Sequence, residues 1–238
     1  MEKITELGHN RTGVQMSPDF TEAQLEAAEA YPPDVSGDSG ALAQAREEAF
    51  SQSDRIGSVP VPGSTKGKLK SGFDKMLGHQ PELFVDKLGE RLAFERTGVR
   101  LYDALLAKLS PENTDEDTRS QLQTIRNEEL EHMQLVKQTI ETLGADPTVM
   151  TPCANVAAVS SIGIMQVLTD PRTNLVQCLN AIMTIELTDN AAWDMLVDLA
   201  DQAGHPNIAK DFTRALEQED RHLEIITDLL KREMKKQA

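Results

Sequence analysis

From Pro81 onward, apolar side chains recur every three or four residues through four long stretches, the spacing that lines one face of an α-helix. The pattern predicts helices over about 82–109, 115–143, 172–203 and 206–235. Helix-breaking residues fall where it stops. Ser110-Pro111 closes the first helix, Gly144 with Pro147 beyond it closes the second, and Gly204 with Pro206 separates the third from the fourth. The first and second helices, and the third and fourth, have short connections, so each pair should fold back as an antiparallel hairpin. Nearly thirty residues lie between the hairpins, and the run ANVAAVSSIGIMQVL within them has room for one short extra helix along a crossover. Two hairpins and one long crossover make an all-α four-helix bundle.

Residues 1–80 carry no comparable pattern. Two short helices are predicted, over 21–30, where Thr21 and Gln24 have capping-box spacing, and over 41–53. YPPDVSGDSG and SVPVPGSTKGKLKSG, rich in Pro, Gly and Ser, read as linkers or as a strap on the main domain. The chain is therefore divided into an N-terminal extension, 1–80, and a bundle, 81–238.

Each bundle stripe is interrupted at its middle by polar groups. The first runs Leu88, Leu92, Glu95, Val99, Tyr102, Leu106, Leu109; the second Leu122, Ile125, Glu129, His132, Val136, Ile140, Leu143. The third runs Leu175, Leu179, Ile182, Glu186, Asp189, Trp193, Leu196, Ala200; the fourth Ile208, Phe212, Ala215, Glu219, His222, Ile226, Leu229. Burying four ionised glutamates is costly unless something neutralises them. Two divalent cations balance four carboxylates in charge. Glu and His three residues apart share a helical face, so Glu129/His132 and Glu219/His222 can each hold one metal, with Glu95 and Glu186 completing the shells. Mixed carboxylate–imidazole ligation suits iron or manganese, with zinc as a further option. With 21 Glu and 5 His, chance alone supplies about 0.4 Glu-x-x-His pairs, so position within an apolar stripe is what distinguishes these two. A third pair, Glu6/His9, lies in a polar segment and is set aside. Glu95 and Glu129 are 34 residues apart, Glu186 and Glu219 33, as in two similar hairpins.

This pattern, Glu95, Glu129-Leu-Glu-His132, Glu186, Glu219-Asp-Arg-His222, resembles the ferritin-like superfamily of carboxylate-bridged di-iron proteins over about 82–233. Its spacing is most similar to bacterioferritin and rubrerythrin-type domains. The resemblance implies two Fe ions, or Mn or mixed Mn/Fe, with Glu129 and Glu219 bridging and Glu95 and Glu186 terminal. It also implies that Tyr102, seven residues after Glu95, lies beside the metals as a hydrogen-bond donor or electron source. Trp193 holds the pseudo-symmetric place after Glu186 and reads mainly as core. Leu130 stands where bacterioferritin has its haem methionine, so no haem is expected. The 16 residues after His222 are too few for the fifth helix of a ferritin cage, and the added leader also argues against a closed shell.

Composition narrows the partners. The net charge is −15, distributed as −7 over 1–60, +3 over 61–80 and −11 over 81–238. Nucleic acid is not an expected partner, because phosphate contacts need lysine and arginine in bulk. No apolar run is read as approaching the roughly 18 residues of a membrane span, and the start lacks a signal-peptide core, so a cytoplasmic protein without a membrane partner is expected. Two cysteines, Cys153 and Cys178, exclude a disulfide framework. The leading expectation is a di-iron oxidoreductase reacting with O2 or H2O2, of ferroxidase or peroxide-scavenging type, with a homodimer as the simplest assembly. The alternatives are an oxygenase with an organic substrate, for which Gly98 would open space although a close helix contact explains that glycine equally, and a non-catalytic, metal-stabilised stress or scaffold protein. Asp189 is read either as orienting a ligating histidine or as a solvated or helix-pairing residue at the stripe edge. Glu128 and Gln218, which occupy equivalent places before the two metal glutamates, are read as an exposed helix face first and as outer hydrogen-bond partners second.

Overall fold

A computed structural model describes residues 18–32, 34, 38–60, 81–109 and 114–237. Glu6/His9, the Ser110-Pro111 stop and the lysine-rich segment over 66–75 lie outside the described residues. The chain divides into two compact units, Met1–Asp54 and Arg55–Ala238.

The first unit holds α1 (Pro18–Ala30) and α2 (Ser39–Gln52). α1 starts three residues before Thr21, so the Thr21/Gln24 pair sits inside the helix and not at its cap. Asp38 caps α2 instead, accepting from the Ala41 amide at 2.7 Å. The described side chains of this unit are exposed, including Leu25, Leu42 and Phe50.

The second unit holds α3 (Pro81–Lys108), α4 (Glu116–Thr142), α5 (Pro152–Ser160), α6 (Ile162–Thr169), α7 (Leu175–Gln202) and α8 (Pro206–Gln237). The caps explain the boundaries. Asp115 accepts from the Thr118 amide at 2.8 Å to open α4. Asn174 and Gln177 form a reciprocal capping box that starts α7. α7 begins later than predicted because Arg172 is held in a turn by Asp170, through its amide at 2.9 Å and its guanidinium at 2.6 Å. Gly144 and Gly204, at φ 82° and 76°, take the left-handed conformation that ends α4 and α7.

The crossover contains two short helices, not one, divided at Ser161, whose hydroxyl returns to the Ala157 carbonyl at 2.8 Å. Pro152–Thr169 does have the length and apolar composition of a membrane span, contrary to the sequence expectation. It is broken into pieces of 9 and 8 residues, each about half of the ~20 that a spanning helix needs. The crossover is tied to α3 at both ends. Asp86 accepts from the Cys153 amide at 2.9 Å, and Lys108 donates to the carbonyls of Asp170 and Thr173 at 2.6 and 3.0 Å.

Within the bundle α3 packs on α4 and α7, and α8 packs on α7 and α4, which leaves α3/α8 and α4/α7 as the diagonals. Neighbouring helices run antiparallel, so residue order on one reverses that on the next. The interior forms two apolar clusters. One is built around Tyr102, Leu105, Leu122, Leu179 and Ile226, the other around Leu88, Val136, Trp193, Leu196 and Phe212. A layer of buried polar and charged side chains separates them: Arg91, Glu95, Glu129, His132, Glu186, Asp189, Glu219 and His222. The mid-stripe interruptions therefore meet at one level.

Candidate metal centre

All six predicted metal residues converge in this layer, each helix of the bundle delivering at least one. They form two overlapping groups. Glu129, Glu186, Glu219 and His222 each place one donor atom within 4.8 Å of the others, as do Glu95, His132 and Glu219. Glu219 belongs to both. Its Oε1 is 2.7 Å from His132 Nδ1 and its Oε2 is 3.2 Å from His222 Nδ1. The resemblance implies two bridging glutamates; this geometry gives the shared position to Glu219 and sets Glu129 with Glu186 and His222.

For four of the six residues, a hydrogen bond on the far side aims the near side inward. Trp193 Nε1 donates to Glu95 Oε1 at 2.9 Å. Tyr102, one helix away in the reciprocal direction, donates its hydroxyl to Glu186 Oε1. His222 Nε2 lies 2.7 Å from Glu128 Oε2, and His132 Nε2 lies 3.1 Å from Gln218 Oε1. Gln218 Nε2 in turn donates to Glu128 Oε1 at 3.0 Å, linking α4 to α8. Glu128 and Gln218 thus take the second of their two expected roles, outer hydrogen bonding, and not that of a merely exposed face. They orient both imidazoles so that Nδ1 faces the cluster, the role that outer hydrogen bonds commonly play at metal-binding histidines.

Gly98 provides room for a ligand. A Cβ on it would lie 2.3 Å from Glu129 Oε2, so the glycine admits the carboxylate of the neighbouring helix, and this explains it in place of an organic substrate. Arg91 was missed by the sequence analysis. It is buried, with Nε 3.0 Å from Glu95 Oε1 and Nη1 2.6 Å from Asp189 Oδ1, and its guanidinium lies over the Phe94 ring at 4.3 Å. Asp189 is therefore the helix-pairing residue of the second reading, buried and not solvated: it is the counter-ion of Arg91 and joins α7 to α3. The signal for Arg91 existed in an alternative stripe, Leu88, Arg91, Glu95, Gly98, Tyr102, Leu105, Leu109, all of it buried. Cys153 and Cys178 are both free thiols.

Electrostatics show what the cluster lacks. Burial, followed by the neighbouring carboxylates, pushes Glu129 well above the usual carboxylate range. Burial does the same to Glu95 and Glu186, against the pull of Arg91 and His222 respectively. It also pushes the Tyr102 phenol far up, with Glu186 adding to the shift. Asp189 is pushed up to about 7 by burial although Arg91 pulls the other way. Burial opposes charge on Glu219 too, but pairing with both histidines brings it down to about 2. His222 is disfavoured as a cation by burial, yet Glu219 raises it to about 9. Without metal, then, the layer limits its charge by keeping protons. Asp189 pairs with Arg91, and if all four glutamates gave up their protons two divalent cations would balance their charge.

A direct test of fit comes from the buried polar atoms that make no hydrogen bond. They include Glu95 Oε2, both oxygens of Glu129, His132 Nδ1, Glu186 Oε2 and Glu219 Oε1. Carboxylate oxygens and imidazole nitrogens turned toward one another in this way are a divalent-metal donor set once their protons leave.

The connectivity and the buried polar layer define an all-α, ferritin-like protein with a carboxylate–imidazole cluster able to hold metal. The chain belongs to the DUF892 family, a domain of unknown function, which matches residues 79–238. No curated protein matches it. Among solved structures, the E. coli stress protein YciF is similar with a TM-score of 0.56 at 20% identity, over 66% of this chain and 97% of that one, a likeness of fold.

Proposed function

We propose that this protein is a two-metal oxidoreductase that binds two Fe(II) ions between its four long helices and uses O2 or H2O2 to oxidise them, as a ferroxidase or peroxide scavenger. The observation that supports this most is the set of inward-facing donor atoms left without hydrogen bonds on all four helices. When bound, a pair of ferrous ions supplies two electrons to a small oxidant. The chain's own residues do the rest. Glu219, reaching both histidines, would be shared between the metals; Glu95, Glu129 and Glu186 would hold them individually. Tyr102 and Trp193 keep Glu186 and Glu95 from turning away, and the apolar layers above and below exclude water. The Tyr102 hydroxyl, bonded to a Glu186 oxygen, would be placed to pass a proton or an electron. Mn or a mixed Mn/Fe pair is accommodated by the same donors. The partners are metal ions and O2 or H2O2, with the cytoplasm as the site of action and a pair of chains as the simplest assembly. A protective role is in keeping with the similarity to a stress protein.

The test is anaerobic titration of the metal-free protein with Fe(II), followed by admission of O2 while near-ultraviolet absorbance is recorded. Two irons per chain and a prompt ferric band are expected. Tight metal with no reaction toward O2 or H2O2 would leave a metal-stabilised scaffold, and the absence of tight metal would overturn the proposal.

A further inference from the structure

The two donor groups differ in donor count, in the outer partner of each imidazole and in the charge beside each terminal glutamate. We propose that the metal positions fill in a fixed order, the Glu129/Glu186/Glu219/His222 group first and the Glu95/His132/Glu219 group second, with Glu128 and Arg91 setting that order. The inference rests on the two-metal reading and adds to it which residues rank the sites.

One difference is donor count: four residues converge in the first group and three in the second. Another is the outer partner of each imidazole. His222 Nε2 faces the Glu128 carboxylate at 2.7 Å, whereas His132 Nε2 faces the amide oxygen of Gln218 at 3.1 Å. A carboxylate behind an imidazole raises its basicity as a ligand more than a neutral amide does. The last is the charge beside each terminal glutamate. Glu95 Oε1 is approached by the Arg91 guanidinium at 3.0 Å and also accepts from Trp193 at 2.9 Å. A cation there lowers the negative potential offered to a metal and draws one oxygen away from it. Its counterpart Glu186 accepts from the neutral phenol of Tyr102. Arg91 and Gln218 thus weaken one position while Glu128 strengthens the other. Such an arrangement suits a centre that retains one metal and exchanges the second.

The structure supplies a clean exchange experiment. Glu128 and Gln218 already hydrogen-bond to each other across α4 and α8 at 3.0 Å. The double variant E128Q/Q218E keeps a Glu–Gln pair at that place while moving the carboxylate from behind His222 to behind His132. Metal-free protein is titrated anaerobically with Co(II) and with Fe(II) against a chromophoric chelator. Wild type is expected to bind in two steps of one metal each, about tenfold or more apart. In E128Q/Q218E the gap narrows by about tenfold or reverses. His132→Ala should retain the tight step and lose the weak one, and His222→Ala should lose the tight one. These variants assign the steps even if the double variant folds poorly. Two metals of equal affinity in wild type, an unchanged gap in E128Q/Q218E, or loss of the tight step in His132→Ala would overturn the ordering alone. A wild-type chain that binds no tight metal would overturn the two-metal reading and the ordering with it.

Discussion

Among individual residues, Arg91 and Gly98 carry consequences that no ligand list contains. Arg91 is the fixed cation of a layer otherwise made of carboxylates and imidazoles, and it stands between Glu95 and Asp189. Arg91→Met should destabilise the metal-free protein by about 3–5 kcal/mol, because it leaves buried carboxylates without a counter-charge. Arg91→Met/Asp189→Leu should recover a large part of that loss in chemical denaturation; strictly additive effects would show that the pair does not interact. Gly98 acts by being absent. Gly98→Ala would favour the helix by propensity, yet its methyl would fall 2.3 Å from Glu129 Oε2. The expected outcome is a folded protein that binds metal about 10–100-fold more weakly, read by metal content after dialysis.

At the level of elements, the hairpins were legible in the sequence because both causes are local. Three-four periodicity sets the helices, Asp115 and Asn174 start α4 and α7 through short-range hydrogen bonds, the latter a few residues beyond the expected start, and Gly144 and Gly204 end them through their φ values. The crossover was less legible. ANVAAVSSIGIMQVL is apolar without a period that distinguishes one helix from two, and its break at Ser161 depends on how it lies along α3. Gly89 is where that docking is tightest, since a Cβ there would meet Thr151 Oγ1 at 2.4 Å. Gly89→Val should therefore cost about 1–3 kcal/mol through overpacking, measured by thermal melting. Metal stoichiometry should stay at the wild-type value, because Gly89 lies along α3 from the donors. A fall in stoichiometry would mean that the crossover helps to shape the centre.

For the whole molecule, the proton inventory of the layer predicts how stability varies with pH. Asp189 is raised to about 7 from an ordinary 3.8, so its contribution is present at low pH and is lost as pH rises through 7. His222 is raised to about 9 from 6.5, so its contribution is full below 6.5 and is lost as pH rises through 9. Glu95, Glu129 and Glu186, all raised, have the same sign. Glu219 has the opposite sign, but its contribution is lost only as pH falls from 4.5 through about 2. The metal-free protein should therefore melt at progressively lower temperature between about pH 4 and 9. Metal replaces the protons on its ligands, so loading should flatten this trend and release protons into weakly buffered solution. A metal-free melting temperature that rises across this range would contradict the inventory.

What the sequence determined alone is the four long helices, their pairing into hairpins and the six carboxylate and imidazole residues that meet in the buried layer, Glu95, Glu129, His132, Glu186, Glu219 and His222. Periodicity fixes which side chains share a face, and a polar residue on an apolar face must be accounted for within its own helix. The tertiary structure decided everything that depends on a neighbouring helix. It paired Arg91 with Asp189, filled the space at Gly98 with the Glu129 carboxylate, placed Glu128 behind His222 and Gln218 behind His132, and gave the shared position to Glu219. None of these is a matter of spacing along the chain. Each follows from the antiparallel register in which four helices meet, and that register is set by how their apolar layers pack above and below the buried charges.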